Sequence, residues 1–236
     1  MIPDPGTSIV ILTGAGISAE SGLRTFRASD GLWEEHRVED VATPEGFVRD
    51  PDLVQRFYNE RRRQLKSVSP NAAHSALARL EREWPGEVLV VTQNVDDLHE
   101  RAGTVQLIHM HGELLKIRCL ACRNVTPWNE DVLKESLCPA CGKAGQLRPH
   151  IVWFGEMPLE MERIGEALQA CGLFAAIGTS GLVYPAAGFV EMVPRRTHRV
   201  ELNLEVSQVS AAFREHRAGP ASKTVPEWVD SLLLGR

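Results

Sequence analysis

The sequence predicts an α/β fold: an open, Rossmann-like parallel sheet with a small zinc-ribbon domain inserted in it. Three observations carry that expectation. Apolar runs of strand length alternate with amphipathic stretches of helical length, the pattern of a sheet covered on both faces. The first run, residues 8–13, leads directly into Gly14-Ala15-Gly16-Ile17-Ser18-Ala19. Two Cys-x-x-Cys pairs, Cys119/Cys122 and Cys138/Cys141, stand fifteen residues apart where the alternation is interrupted.

With 236 residues, 43 % of them hydrophobic, the chain can build one large domain or one domain carrying an insertion. A net charge of -5 argues against nucleic acid as the main partner, although a local basic pocket stays open. The start, Met1-Ile2-Pro3-Asp4-Pro5, reads as neither a secretory nor a transit segment. No apolar run approaches the ~18 residues of a membrane span. The expected setting is cytoplasmic, without membrane association. There, five cysteines serve better as metal ligands or buried thiols than as disulfides.

The elements follow in order. Residues 8–13 form a continuous apolar run, as a buried parallel strand should. The next six residues fit Gly-x-Gly-x-x-Gly/Ala, which lets backbone approach a pyrophosphate at a helix N-terminus. A tight turn without a ligand would give the same residues. The acidic residue expected about 20 positions on, at a second strand end, is missing. Residues 20–33 read instead as a long polar loop with Arg24, Arg27 and Asp30, of the kind that forms lids. Asp50-Pro51 opens a helix to about residue 66. On it Tyr58 and Arg61 share a face, while Arg62 and Arg63 are expected in solvent. Asn71 caps a further amphipathic helix in which His74 is a packing residue.

Residues 88–91 form a strand that ends in Thr92-Gln93-Asn94-Val95-Asp96, and residues 105–110 deliver His111 just before Gly112. Ordinary strand-to-helix turns remain an alternative for both ends. The cysteine spacing matches a four-thiolate zinc ribbon, and four protein ligands leave no open position, so the single zinc is structural. Cys171 is expected as a buried thiol. Residues 148–156 return to an extended run, and residues 159–170 form a helix. A strand over Leu173–Ile177 ends in Gly178-Thr179-Ser180-Gly181, and Tyr184-Pro185 opens another helix. A last strand, 200–202, ends in Asn203-Leu204-Glu205, which could supply the missing ribose contact. The C-terminal helix is expected from Pro226, with Trp228, Val229, Leu232 and Leu233 inward. The main domain then comprises residues 1–112 and 148–236, and the insertion 113–147.

Taken together, Gly14-Ala15-Gly16-Ile17-Ser18 with Phe26-Arg27, Thr92 to His99, His111-Gly112, the paired Cys-x-x-Cys and Gly178-Thr179-Ser180 resemble the sirtuin family, in register from about Ser8 onward. The likeness is greatest to bacterial members of the desuccinylase-like class. It implies an NAD-dependent protein-lysine deacylase that releases free lysine, nicotinamide and O-acyl-ADP-ribose. It places Gly14, Ala15, Gly16, Thr179 and Ser180, with Gly178, at the phosphates. Glu20, Phe26, Arg27 and Trp33 fall in the cofactor loop. Asn203, Leu204, Glu205 and Ala221 fall on the adenosine side. Ser18, Gln93, Asn94, Val95 and Asp96 surround the nicotinamide ribose, and His111 is the general base on its hydroxyls. Phe154, Gly155, Glu156 and Val183 match the strands that hold substrate peptide by strand addition.

The family's Tyr-x-x-Arg pattern falls on Tyr58 and Arg61, with Ala42 as the small residue that widens the acyl pocket. An arginine there can clamp a distal carboxylate by two hydrogen bonds, with Tyr58 adding a third. Succinyl-, malonyl- and acetyl-lysine proteins are therefore the expected partners, and a monomer is the favoured state. Three rivals remain: a Rossmann-type oxidoreductase, a zinc-ribbon nucleic-acid binder, and a protein ADP-ribosyltransferase.

Overall fold

Ile9 and Ile11 face one core while Val10 and Leu12 face another, as the strand period of two requires in a doubly covered sheet. The computed structural model describes residues 4–23, 32–33 and 36–235. Its elements begin with β1 Ile9–Thr13, α1 Gly16–Ala19, β2 Leu32–Trp33, β3 His36–Arg37, α2 Val38–Val41, α3 Pro44–Arg49, α4 Pro51–Leu65 and α5 Ala72–Glu83. They continue with β4 Val88–Thr92, α6 Leu98–Ala102, β5 Leu107–His109, β6 Gly112–Cys119, β7 Val125–Pro127 and β8 Leu147–Ile151. The last are α7 Met161–Ala170, β9 Leu173–Ile177, α8 Phe189–Met192, β10 His198–Asn203, β11 Glu215–Ala218 and α9 Ala221–Leu234.

Six parallel strands lie in the order β11-β10-β9-β1-β4-β5. The chain starts in the middle, moves out through β4 and β5, then returns to the other side of β1 for β9, β10 and β11. That reversal makes the C-terminal ends of β1, β4 and β9 the expected ligand crevice. One face of the sheet carries α5 and α9 through Leu77, Leu80, Val225, Trp228 and Val229. The other carries α7 and α8 through Ile164, Leu168, Phe189 and Val190. Each such side chain, fully buried, contributes about 1.5–3 kcal/mol.

Between β5 and α7 the chain leaves the parallel sheet. Strands β6, β7 and β8 form a separate antiparallel sheet in the order β7-β6-β8. Its pairing runs from Gly112 to Ile151, slightly beyond both ends of the expected 113–147 insertion. Helices α2 and α4 pack on it through Val38, Val54, Phe57 and Tyr58 against Leu114, Ile151 and Trp153.

Local signals act as their chemistry demands. Asp50 caps α4 by accepting from the Leu53 amide at 2.8 Å, and Pro51 occupies the first turn. Asn71 caps α5 in a reciprocal box with the His74 ring. Two expectations need correction. Arg62 is fully buried, not solvated, because its guanidinium donates to the Leu114 carbonyl at 2.9 Å and to Asn59 Oδ1 at 2.8 Å. The C-terminal helix starts at Ala221, five residues before Pro226, which sits inside it. Glu20 stabilises that early start by accepting from the Ser222 amide at 3.0 Å and from the Ser222 hydroxyl. Cys171 is a buried thiol, as expected. Among the described residues no helix is long and apolar enough to cross a membrane.

Candidate active site at the strand ends

The four polar strand ends read from the sequence meet. Beyond β1, the Gly14 amide donates to the Ile177 carbonyl at 3.0 Å and the Gly16 amide to the Gly178 carbonyl at 2.8 Å. A Cβ on either Gly14 or Gly16 would come within 2.7 Å of Gly178 backbone, so both positions need glycine. These two amides are thus spent inside the protein; what the glycines supply is close approach of two loops. Gln93 Nε2 donates to Thr179 Oγ1 at 3.2 Å, and Asn203 Nδ2 to the Thr179 carbonyl at 2.9 Å. Around this knot opens a cleft of about 870 Å³, within the roughly 300–1,000 Å³ usual for cofactor sites. The helix α1 that follows the glycines is a single turn, shorter than the motif leads one to expect.

Deeper in, Asn94 Nδ2 donates to the Gly14 carbonyl and to Ser18 Oγ, both at 3.1 Å. Ser18 in turn donates to Asp96 Oδ2 at 3.1 Å, and Asp96 Oδ1 accepts from the Leu98 amide. Burial pushes the Asp96 carboxyl up to about 6, against these hydrogen bonds, which favour the ionised form. Behind them the His74 and His99 rings meet edge to face at 5.0 Å. Each ring meets a hydroxyl: His74 Nε2 is 3.4 Å from Ser18 Oγ, which lines the cleft, and His99 Nε2 is 3.0 Å from the buried Thr13 Oγ1. Burial pushes His74 down to about 4 and His99 well below its usual range, so both imidazoles are neutral. The sequence reading gives His99 only as the last residue of a family motif, with no role, and His74 only as a packing residue. Their histidine–hydroxyl pairings join positions 56 and 86 residues apart, which local pattern cannot show.

His111 stands at the mouth of this chamber. Its Nδ1 is 3.2 Å from the Gln93 carbonyl, which can only accept, so Nδ1 carries the proton and Nε2 is left as the base. Gly112 beside it has φ +82°, and a Cβ there would strike the His150 carbonyl oxygen. The imidazole is thus set on a backbone that only glycine can continue. Burial lowers the His111 pKa, partly offset by the Gln93 carbonyl. Were this imidazole to serve as a general base, it would have to be unprotonated, and kcat/KM would rise through a pKa below the ordinary 6.5 and be flat at neutral pH. The acid limb should persist in Asp96→Asn; a limb that vanishes there would assign it to Asp96.

A second arm of the cleft runs toward α4. Tyr58 is buried; its hydroxyl accepts from Trp153 Nε1 at 2.9 Å, and burial raises its pKa well above normal. Arg61 lies with its guanidinium 3.5 Å over the Phe57 ring and donates from Nη1 to the Phe57 carbonyl at 2.7 Å. Ala42 and Trp33 complete this arm. Phe154, Gly155 and Val183 line the mouth. Glu156 also reaches the cleft, but it is bound bidentately by Arg148 at 2.7 and 2.9 Å and by the Trp153 amide, so it braces the turn. Glu20, Val95, Ser180, Leu204, Glu205 and Ala221 line the remaining wall. Phe26 and Arg27 lie outside the described residues. Trp153, which bonds Tyr58, is among the lining side chains the sequence reading misses, with Gln64, Leu114 and Leu182.

The four ribbon cysteines lie away from the cleft, with all four sulfurs within 4.8 Å of one another and no disulfide among them. Cys119 to Cys141 is 3.8 Å and Cys122 to Cys138 is 3.7 Å. A tetrahedral zinc with bonds of about 2.3 Å has sulfur–sulfur edges of about 3.8 Å, so the thiols fit one closed, structural zinc.

The model of the Sir2 family matches residues 14–185. An NAD-dependent protein deacylase of Escherichia coli is 62 % identical over 230 residues, covering 96 % of this chain and 82 % of its own. One of Vibrio vulnificus is 58 % identical over 232 residues, covering 97 % and 95 %. The solved complex of a Sir2 homologue with NAD superposes with a TM-score of 0.88 at 37 % identity, covering 97 % of this chain and 90 % of that one. With the family match over most of the chain and relatives near 60 % identical along almost all of it, the chain belongs to the Sir2 family, the sirtuins.

Proposed function

We infer that the chain is an NAD-dependent protein-lysine deacylase, and we propose that succinyl- and malonyl-lysine are substrates alongside acetyl-lysine. The deacylase activity is that of relatives about 60 % identical to this chain. When bound, NAD supplies an electrophilic ribose carbon to the acyl oxygen, with nicotinamide as the leaving group. The chain's residues do the rest. The Gly14–Gly178 approach and Thr179 hold the phosphates, and Asn203, Leu204 and Glu205 hold the adenosine end. Ser18, Asn94 and Asp96 fix the nicotinamide end, and His111 Nε2 takes a proton from a ribose hydroxyl. With one water consumed, free lysine, nicotinamide and O-acyl-ADP-ribose result. The thiols left without disulfides and the bacterial relatives favour a cytoplasmic setting.

The observation that carries the acyl reading is Arg61, a guanidinium in the cleft wall beside Tyr58, Gln64, Ala42 and Trp33. A distal carboxylate gains charge-assisted hydrogen bonds there; an acetyl methyl gains none. Arg61→Met should cost desuccinylation about 10–100-fold in kcat/KM, at about 1.5–3 kcal/mol for a hydrogen bond to a charged group. Deacetylation should change by less than about threefold, since no transition-state contact to acetyl is lost. Equal losses on matched acetyl- and succinyl-lysine peptides would refute the clamp.

A further inference from the structure

Outside the cleft three ligand-bearing side chains converge from separate elements. His109 ends β5, Glu100 lies in α6 and Glu113 is the second residue of β6. Their donor atoms all lie within 4.8 Å of one another. The His109 side chain is only 9 % exposed, and its Nδ1 is 3.2 Å from the Asn94 carbonyl, so that nitrogen donates. The other nitrogen, Nε2, is 2.9 Å from Glu100 Oε1. A neutral imidazole would there oppose lone pair to lone pair, so a cation must sit on or between the two atoms. A proton on Nε2 meets that need with Glu100 alone. A second carboxylate, Glu113, is brought to the same point by another strand, where Lys116 also reaches it at 2.5 Å.

We propose that Glu100, His109 and Glu113 form a second metal site, separate from the ribbon, that takes a borderline divalent ion such as Zn²⁺ or Co²⁺. One imidazole and two carboxylates suit such ions, whereas Ca²⁺ and Mg²⁺ favour an all-oxygen shell. The Asn94 carbonyl behind Nδ1 is the kind of outer partner that fixes a ligating histidine's tautomer and orientation. The ion takes the place of the proton between His109 and Glu100 and draws Glu113 away from Lys116; water completes its shell. Nothing in this assignment depends on the deacylase reading.

The test is equilibrium dialysis of the full chain, its ribbon loaded with one zinc, against Co²⁺ at neutral pH. Bound metals are counted by elemental mass spectrometry. The wild type should retain its zinc and gain one cobalt whose visible spectrum lacks thiolate charge-transfer bands. His109→Gln, Glu100→Gln and Glu113→Gln should each weaken cobalt binding at least about tenfold while zinc stays at one per chain. Glu113→Gln leaves the His109–Asn94 hydrogen bond in place, so it reports on the site even if His109→Gln fails to fold. No cobalt bound by the wild type, cobalt found only in exchange for ribbon zinc, or equal cobalt in all four proteins would overturn the assignment.

Discussion

Replacing His111 by alanine should lower kcat by about 10²–10⁴-fold, the usual contribution of a positioned general base. One zinc per chain and the affinity for NAD should be nearly unchanged. The expectation rests on the division of labour within one ring. Nδ1 is committed to the Gln93 carbonyl at 3.2 Å, so only Nε2 can accept a proton. Burial keeps that nitrogen unprotonated at neutral pH. Among the described residues no other imidazole lines the cleft, and the buried pair His74 and His99 behind it is bonded to Ser18 and Thr13. The zinc thiols belong to the ribbon sheet and not to the cleft wall. Single-turnover kinetics with metal analysis checks both halves. A loss smaller than about tenfold would mean that His111 positions substrate and another group, or water, takes the proton.

Asp96→Asn should make the folded protein more stable and less active. The Asp96 carboxyl titrates near 6 in the folded chain, above the ordinary 3.8, with burial as the largest cause. A raised carboxyl pKa favours the protonated form. Its contribution to stability is therefore full below about pH 3.8 and is lost as pH rises through 6. Two units correspond to about 3 kcal/mol. Asparagine carries no charge, and its Oδ1 can accept from the Leu98 amide; its Nδ2 can only donate, so Ser18 must turn its own proton away, and urea unfolding at pH 8 should show a gain of up to about 3 kcal/mol. About half of that gain should remain at pH 5. A gain that does not vary with pH would show that ionisation of Asp96 is not its source. The carboxylate that costs stability is the one placed beside Ser18 and Asn94 in the cleft, which is where a protein keeps such a group for function.

The parallel strands and the glycine loop were legible because their signals are local. Residues 8–13 and 173–177 are apolar runs, and Gly14 and Gly16 follow the first directly. The ribbon was legible because four thiolates at fixed spacing have one stable use. What was hidden depends on partners distant in sequence. Strand β11, Glu215-His216-Arg217-Ala218, has no apolar run and is recognisable only by its pairing with β10. Proline is normally a first-turn residue, so Pro226 draws the helix start too late. The true first turn is held by Glu20, 202 residues earlier. Arg62 looks like its exposed neighbour Arg63 until Leu114 and Asn59 come around it. Trp153 reads as one more apolar residue until its indole N–H reaches Tyr58. The side chain of Glu156 has a partner that local pattern does not show, the guanidinium of Arg148.

The most direct measurement of the central claim is a product balance. The wild-type chain is incubated with NAD and acetyl- or succinyl-lysine peptide, and nicotinamide, deacylated peptide and O-acyl-ADP-ribose are quantified by mass spectrometry. Equal amounts of the three, absent when either NAD or the acyl group is omitted, are the expected result. NADH in place of nicotinamide, or nicotinamide released while the peptide keeps its acyl group and ADP-ribose appears on protein, would contradict it.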